Sequence, residues 1–144
     1  MILIIVTQIT MAELIRFGIS IEKELSDKFD RFIRAKNYTN RSEAIRDLIR
    51  NNFVKEAWKQ NKNVSGAITM VYDHHQRELV DKIIDIQHDF SKFIISSQHV
   101  HLNQHDCLEI VVVKGSSGEI QKLADRLKCI KGVKHVSLAM TQAS

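Results

Sequence analysis

One short strand pattern near the N-terminus limits what this chain can fold into more than any other feature. Residues 15–21 alternate strictly between apolar and polar side chains, which is the period of a half-buried β-strand. A helical period replaces it over residues 22–36, and a second helix is predicted to end near residue 60. A lone strand leaves its edge unpaired. The pattern therefore predicts that two copies of the chain pair through this strand, forming a two-stranded ribbon against four helices.

The two helix predictions rest on apolar stripes and on a capping signal. The first helix carries an apolar stripe made of Leu25, Phe29, Phe32 and Ile33. Asn40 is suited to cap the second helix, with Glu43 three residues later as its capping-box partner. The buried face of the second helix is predicted to consist of Ala44, Ile45, Leu48, Ile49 and Phe53.

The polar positions of the predicted strand indicate a nucleic-acid interface. Arg16, Gly18 and Ser20 would project together from the outer face of the ribbon. A two-stranded ribbon fits the major groove of double-stranded DNA, where arginine commonly reads guanine. The start of the second helix at Arg41 and Ser42 would offer backbone N–H groups and a positive dipole end to a phosphate. The alternative is a strand that only dimerises, with its polar face in solvent.

Composition and charge narrow the class of protein only broadly. A length of 144 residues suits one ordinary domain or two small ones, and 44% hydrophobic with 26% charged residues is globular. The net charge of +4 permits a nucleic-acid partner without requiring one. Two cysteines form no disulfide framework, and no apolar stretch approaches the ~18 residues of a membrane span. We therefore expect a cytoplasmic location and no membrane partner.

Residues 1–13 are predicted to be a tail outside the DNA-binding part. The apolar run at residues 2–6 is short and lacks a positive flank, so it makes a poor signal peptide. Either Met11 is the true start, or the first residues form a loosely ordered tail. In both cases we expect the tail to be dispensable for binding metal and DNA.

The second half of the chain follows the order β-α-β-β-α-β. A polar linker is predicted at residues 61–66. Beyond it, strands are predicted at residues 67–72, 98–102, 107–113 and 133–140, and helices at residues 75–95 and 119–130. A turn is predicted at residues 115–118. This is the order of a ferredoxin-like domain, predicted over residues 67–141, and it makes the fold class α+β. Such a sheet leaves one face open, so this half is also expected to oligomerise.

Candidate metal ligands are concentrated between His88 and Cys107. His99 and His101 are two residues apart and would leave the same face of a strand. If the flanking strands pair as a hairpin, His101 and Cys107 face each other, and His88 offers a fourth donor from a helix. Imidazole and thiolate donors suit zinc, nickel or copper and not magnesium or calcium. The plainer alternative is a set of ordinary polar residues on an exposed sheet face.

These blocks together resemble the nickel-responsive transcriptional regulator family. The resemblance is carried by residues 38–47 (YTNRSEAIRD), 87–88 (QH), 99–101 (HVH) and 107–109 (CLE), and it extends over about residues 14–140. It implies a ribbon-helix-helix DNA-binding domain at residues 14–60, followed by a ferredoxin-like (ACT-like) nickel-binding domain. It also implies Ni(II) as the cofactor, which ligand types alone do not select.

The resemblance further implies a ligand set and an assembly. His99, His101 and Cys107 of one subunit and His88 of another would hold Ni(II) in a square plane. The family forms homotetramers, in which nickel at the tetramer interface favours binding to the operators of nickel-uptake genes and represses them. The expected partners are therefore double-stranded operator DNA and three further copies of the chain, and the expected function is regulation and not catalysis.

Several other positions match the family less specifically. Arg16, Gly18 and Ser20 occupy its base-reading positions, but the middle position is more often a hydroxyl residue, so Gly18 leaves the operator sequence open. Glu43 and Asp47 resemble carboxylates that hold a cation between the two domains, although a cap residue and a solvated acid would explain them equally. Tyr72 and His74 resemble residues near the metal in the family, although core packing would explain Tyr72 equally. Gln87 and Glu109 could orient the metal ligands. The remaining histidines, His75, His105 and His135, are most simply surface residues, although accessory metal binding is conceivable.

Three other functions compete with this interpretation. The open sheet of the second half could bind an amino acid in a metabolite-sensing ribbon-helix-helix regulator. His99, His101 and Cys107 could instead hold a catalytic zinc ion, with Glu109 as the nearby base. A ribbon-helix-helix antitoxin is the third alternative, and the folded second domain argues against it.

Overall fold

Two compact units make up the chain, which divides after Ala44. The structure, a computed structural model, describes residues 13–142, and the predicted tail at residues 1–13 lies outside the described residues except for Glu13. The helices are α1 (Lys23–Ala35), α2 (Arg41–Lys59), α3 (Arg77–Asp89) and α4 (Ser117–Lys128), with a single 3₁₀ turn at Ser91–Phe93. The strands are β1 (Asn63–Asp73), β2 (Ile94–His101), β3 (Asp106–Ser116) and β4 (Val133–Thr141).

The predicted strand at residues 15–21 is not formed in the single chain. Residues 13–22 have no regular secondary structure, and Phe17 is 70% exposed. A β-strand is held by hydrogen bonds to a neighbouring strand, and the strand pairs of residues 13–142 all lie beyond residue 62. The predicted pairing of two copies through this strand stays a prediction, because the strand requires a partner that a single chain does not contain.

The turn between α1 and α2 is built as the sequence predicts. Asn37 adopts a left-handed backbone conformation with φ of 57°. The side-chain oxygen of Asn40 accepts the backbone N–H of Glu43 at 2.9 Å, which confirms the predicted cap. Arg41 donates to both carboxylate oxygens of Asp30, at 2.8 and 2.6 Å, and this pairing holds the pKa of the Asp30 carboxyl below its usual value. The pair ties the start of α2 to α1.

The predicted buried face of α2 is largely exposed in the single chain. Ala44 is fully buried and Ile45 is half-buried, whereas Leu48 and Ile49 are exposed and Phe53 is 66% exposed. These positions were predicted on the assumption of a second copy, and one chain does not cover them. Apart from Ala44, the buried residues of α2 are Ala57 and Trp58, which lie in its last turns.

The second unit is a four-stranded antiparallel sheet in the order β2-β3-β1-β4, which is the arrangement of a ferredoxin-like domain. Helices α3 and α4 pack on one face of the sheet. The fully buried side chains between the two layers are Ile68, Met70, Ile83, Cys107, Val111, Val113, Ile120, Leu123 and Leu127. The predicted order of elements is therefore confirmed. None of the helices in residues 13–142 has both the length and the apolar character that crossing a membrane requires.

Three predicted boundaries are wrong in this unit. β1 begins at Asn63, so four residues of the predicted linker at 61–66 belong to a strand. α3 ends at Asp89, and the residues that follow form the 3₁₀ turn and the start of β2. The predicted turn at residues 115–118 is divided between β3 and α4. Local polarity misled the first and third predictions, because pairing across the sheet overrides the weak loop preference of short polar runs. The helix was predicted too long because Phe90 continues its apolar stripe.

Gly66, near the start of β1, lies very close to the neighbouring strand β4. A Cβ atom at this position would lie 2.8 Å from the backbone oxygen of Ala139 on β4, so only glycine fits without displacing the strand. Nearby, the indole N–H of Trp58 donates to the carbonyl of Thr141 at 3.1 Å, and the Ser117 hydroxyl donates to the carbonyl of Trp58 at 2.6 Å. These contacts fix the last turn of α2 to the sheet.

We expect Gly66→Ala to lower the free energy of unfolding by about 1–3 kcal/mol, because the added methyl group must push a backbone oxygen aside. Urea denaturation followed by circular dichroism measures this change. Gly18→Ala is the matched control, since a Cβ atom there would meet nothing within 4 Å. Equal stability of the two variants would contradict the close approach of β1 and β4.

Candidate metal centre

The predicted hairpin of β2 and β3 places the sulfur ligand opposite a histidine. His101 pairs with Cys107, and His99 pairs with Glu109. Cys107 is also the register partner of Tyr72 on β1. Side chains that pair across antiparallel strands share a face of the sheet, so these five residues lie on the face that carries α3 and α4. The hairpin prediction is confirmed.

The turn that joins β2 to β3 is held by one amide side chain. The side-chain oxygen of Asn103 accepts the backbone N–H groups of His105 and Asp106, each at 2.8 Å. This is an Asx-type turn, which sets the backbone directions of the two strands as they leave it. The short polar sequence between the strands therefore determines which residues face each other.

Cys107 is completely buried. Its thiol donates to the carbonyl oxygen of Tyr72 at 3.4 Å, and burial raises the pKa of the Cys107 thiol above its ordinary value. A bare thiolate in this position would be an uncompensated buried charge. A bound metal cation supplies that compensation, and the donor set is therefore chemically suited to a thiophilic transition-metal ion.

A buried carboxylate lies beside the histidines and connects the sheet to α3. Glu109 accepts a hydrogen bond from the Tyr72 hydroxyl and another from the Gln87 side-chain amide, both at 2.7 Å. The same hydroxyl lies 3.4 Å from Nδ1 of His99. Burial and the neighbouring carboxylate raise the pKa of Tyr72, so its hydroxyl stays protonated and donates. The predicted neighbours of the metal, Tyr72, Gln87 and Glu109, thus form one connected network.

His74 also lies next to the candidate ligands. Its ring centroid is 4.7 Å from that of His101, and the rings of His101 and His99 are 5.1 Å apart. Burial lowers the pKa of His74, which favours its neutral form. His74 therefore lies beside the candidate metal ligands, and its role at the metal stays a prediction.

The four predicted ligands are not assembled to coordination distance within the single chain. His88 is exposed in the last turn of α3, whereas His99, His101 and Cys107 lie on the β2–β3 hairpin. In residues 13–142, the one group of three or more His, Cys, Asp or Glu side chains with ligand atoms within 4.8 Å of one another is Asp73, His74 and His75. Sequence reasoning missed Asp73, although the run Asp-His-His was a visible signal.

The predicted DNA-contacting residues are exposed. Arg16, Gly18 and Ser20 lie in the segment without regular structure. The guanidinium group of Arg41 is occupied by Asp30, so at this helix start the backbone and not the arginine side chain is available to a phosphate. The prediction for base reading by residues 16–20 stays a prediction.

Three other residues with predicted roles, Ser42, Glu43 and Asp47, lie in the first two turns of α2. Ser42 is exposed in the first turn of the helix, where backbone N–H groups lack intrahelical partners. The N–H of Glu43 is taken by Asn40, and Asp47 accepts a hydrogen bond from Asn51 at 3.2 Å. A cation held by Glu43 and Asp47 stays a prediction.

Comparison with known proteins agrees with the predicted domain types. Residues 65–141 match the model of the NikR C-terminal nickel-binding domain, and residues 15–56 match that of ribbon-helix-helix proteins of the copG family. A protein of Syntrophus aciditrophicus is 56% identical over 91% of this chain and 96% of its own length. Proteins of Chlorobium limicola (56% identical, covering 92% of this chain and 99% of theirs) and Thermococcus kodakarensis (51%, 90% and 94%) are similarly close. All three are named as nickel-responsive regulators.

A solved structure shows the same fold in the second unit. An uncharacterized protein from Thermotoga maritima superposes with a TM-score of 0.51 at 19% sequence identity, covering 55% of this chain and 98% of that one. At this identity the likeness concerns the fold alone.

The chain belongs to the nickel-responsive regulator family. It combines a ribbon-helix-helix DNA-binding domain with a nickel-binding domain, so it is a transcriptional regulator and not an enzyme, and its metal is Ni(II). The zinc-enzyme alternative is set aside by this assignment.

We expect Cys107→Ser to abolish the thiolate-to-nickel charge-transfer absorption of the nickel-loaded protein, because serine offers no sulfur donor. Cys129→Ser is the matched control, since Cys129 is the other cysteine of the chain and is exposed. A near-ultraviolet titration with Ni(II) measures the band. Retention of the band in Cys107→Ser, or its loss in Cys129→Ser, would contradict the assignment of the sulfur ligand.

Proposed function

We propose that Ni(II), held by His99, His101 and Cys107 of one subunit and His88 of another, strengthens binding of the paired N-terminal segments to the operators of nickel-uptake genes and so represses them. The observation that carries this proposal is the β2–β3 register, which puts His99, His101 and Cys107 on one sheet face. When bound there, nickel would be held by the Cys107 thiolate and the two imidazoles and would compensate the buried thiolate charge.

The position of His88 supports a site shared between subunits. His88 is exposed at the end of α3, and its neighbour Gln87 is held by the buried Glu109. Because the preceding residue is fixed, the exposed imidazole of His88 is held at the surface, where it can reach a partner subunit. Three ligands from one chain and one from another would make metal binding depend on assembly.

The apolar surfaces of the chain support an oligomer. In the first unit, Phe17 and Ile19 are exposed side chains of a segment that needs a partner strand. In the second unit, the sheet face opposite α3 and α4 carries Val100 and Val112, which are 38% and 37% exposed. Burial of such surface contributes roughly 25 cal/mol per Å². A homotetramer, assembled as a dimer of dimers, would cover both kinds of surface.

Nickel can strengthen DNA binding if it binds one arrangement of the subunits more tightly than another. A ligand can shift an equilibrium between arrangements only by binding one of them more tightly. Nickel bridging two subunits would favour the arrangement in which His88 meets the hairpin of its partner. If that arrangement also presents the DNA-binding segments correctly, the coupling is expected to be about 1–3 kcal/mol.

The buried Glu109 is proposed to orient the metal ligands through Tyr72 and Gln87. Glu109→Ala would leave both donors without their acceptor, and we expect nickel affinity to fall by about 10–100-fold. Competition with a chelator of known nickel affinity measures this change. Glu78→Ala, which removes an exposed carboxylate of α3, is the control and should bind nickel like the wild type. Unchanged affinity in Glu109→Ala would exclude a positioning role for the network.

Specific DNA binding is expected to rise by about 5–150-fold when stoichiometric Ni(II) is added. Fluorescence anisotropy with duplexes from the promoters of nickel-uptake genes, repeated over a range of salt, measures this effect. Arg16→Ala should remove sequence preference at a guanine, a loss of about 1–3 kcal/mol, whereas Arg31→Ala on the exposed side of α1 serves as the charge-matched control. If nickel leaves the specific affinity unchanged, the regulator does not use nickel in this way.

A further inference from the structure

The last turn of α3, which carries His88, is held by contacts on both sides of that residue. The side-chain amide of Gln87 donates to Glu109 of β3 at 2.7 Å. On the other side, Nη1 of Arg126 in α4 donates to Oδ2 of Asp89 at 3.0 Å. Successive residues of a helix are turned by about 100° around its axis, so the two contacts flank His88. Rotation of this turn in either direction would pull one of them apart.

Arg126 also contacts the residue that ends the helix. Its guanidinium carbon lies 5.4 Å from the centroid of the Phe90 ring, which is within the range of a cation–π contact. Phe90 is 8% exposed, so its ring belongs to the core. A planar guanidinium can donate to a carboxylate and lie over an aromatic ring at the same time, whereas a lysine ammonium has no such face. One side chain of α4 therefore contacts two successive residues at the end of α3.

The end of α3 depends on contacts from outside the helix. The last carbonyl groups of a helix lack partners within it, and a left-handed residue commonly closes the helix. Instead, α3 passes into the 3₁₀ turn Ser91–Phe93, and neither Phe90 nor this turn has a positive φ. The backbone N–H of Phe90 is shared between the carbonyls of Ile86 and Gln87, at 3.3 and 3.2 Å. Tertiary contacts, and not a left-handed cap, therefore hold this turn.

The charge of Asp89 gives Arg126 a further role at this place. A carboxylate in the last turn of a helix lies at the negative end of the helix dipole, where it is unfavourable. The guanidinium of Arg126 compensates this charge from the neighbouring helix. Leu123 and Leu127, which lie close to Arg126 along α4, are both fully buried. The end of α3 is thus fastened to a helix that is itself anchored in the core.

The contact contributes little to the stability of the fold. The side chains of Arg126 and Asp89 are 48% and 56% exposed, and ion pairs with such exposure add little to the free energy of unfolding. His88 is exposed between the two anchored residues. What the anchors limit is the direction in which the backbone presents the imidazole. A group that is already held in its bound direction loses less conformational entropy when it binds.

We propose that Arg126 is a positioning residue for the nickel site, which holds the last turn of α3 so that His88 is presented to the partner subunit in one direction. The inference rests on the proposed function, in which another subunit supplies His88 as a ligand. Arg126 acts through Asp89 and Phe90 and does not itself bind the metal. Nickel affinity therefore depends on Arg126 only through the donor that bridges the subunits.

Arg126→Gln removes both contacts and is expected to lower nickel affinity by about tenfold, the lower end of the range for groups that orient metal ligands. Competition with a chelator of known nickel affinity, in the full-length protein, measures this change. Its sign is diagnostic, because loss of a positive charge near a cation site would by electrostatics alone strengthen binding. Arg126→Lys keeps the charge and should restore part of the affinity. Lys122→Gln, which removes an ion pair with Glu119 from the same helix, should bind nickel like the wild type.

A second substitution tests whether Arg126 acts through His88. In a His88→Ala background the direction of this helix turn no longer matters to the metal, so Arg126→Gln should not lower nickel affinity further. A general loss of structure would instead lower the affinity equally in both backgrounds. At saturating nickel, all these variants should keep native circular dichroism and the thiolate-to-nickel absorption of Cys107. These two signals show that the fold and the hairpin ligands are intact.

Two results would overturn the positioning role. One is an unchanged or raised nickel affinity in Arg126→Gln, and the other is an equal loss of affinity in the wild-type and His88→Ala backgrounds. The behaviour of His88→Ala distinguishes this failure from that of the proposed function. If His88→Ala lowers nickel affinity and Arg126→Gln does not, only the positioning role fails. If His88→Ala leaves nickel affinity unchanged, the bridging ligand of the proposed function fails, and the positioning role fails with it.

Discussion

The pairing of β2 with β3 is the constraint on which the metal centre depends. His101 faces Cys107 because the strands leave an Asn103 turn in a fixed register, and a shift by one residue would move every side chain to the opposite face. His99 and Glu109 follow from the same register. Local hydrogen bonds in one short turn thus decide whether sulfur and imidazole lie on one face of the sheet.

Burial then gives this face its chemistry. Burial favours the neutral form of the Cys107 thiol. The carboxylate of Glu109, in the same core, accepts hydrogen bonds from Tyr72 and Gln87. A metal cation is the partner that would allow the Cys107 sulfur to carry a charge there. The Glu109 network also joins the hairpin to α3, the helix that bears His88, so the donors are connected through the protein before any metal is bound.

Much of the fold was predictable because it follows from local periodicity. The strand and helix patterns of residues 67–140 led to the correct β-α-β-β-α-β order. The cap at Asn40 was also predicted correctly, since its geometry involves only four consecutive residues. Boundaries were less predictable: the run from Asn63 to Gly66 is polar and flexible in isolation, yet it pairs with β3, and a glycine there is required by the approach of Ala139.

The sequence by itself determined the two domain types, and its resemblance to a known family pointed to nickel. The proposed ligand residues also follow from the sequence, because residue type and spacing are properties of the chain alone. The tertiary structure decided which of these residues meet. It joined Tyr72, Gln87 and Glu109, from two strands and a helix, into one buried network that periodicity could not show. The physical reason is that burial and contacts between distant segments depend on how helices and strands pack. The pattern along the chain shows only on which face of a helix or strand each residue lies.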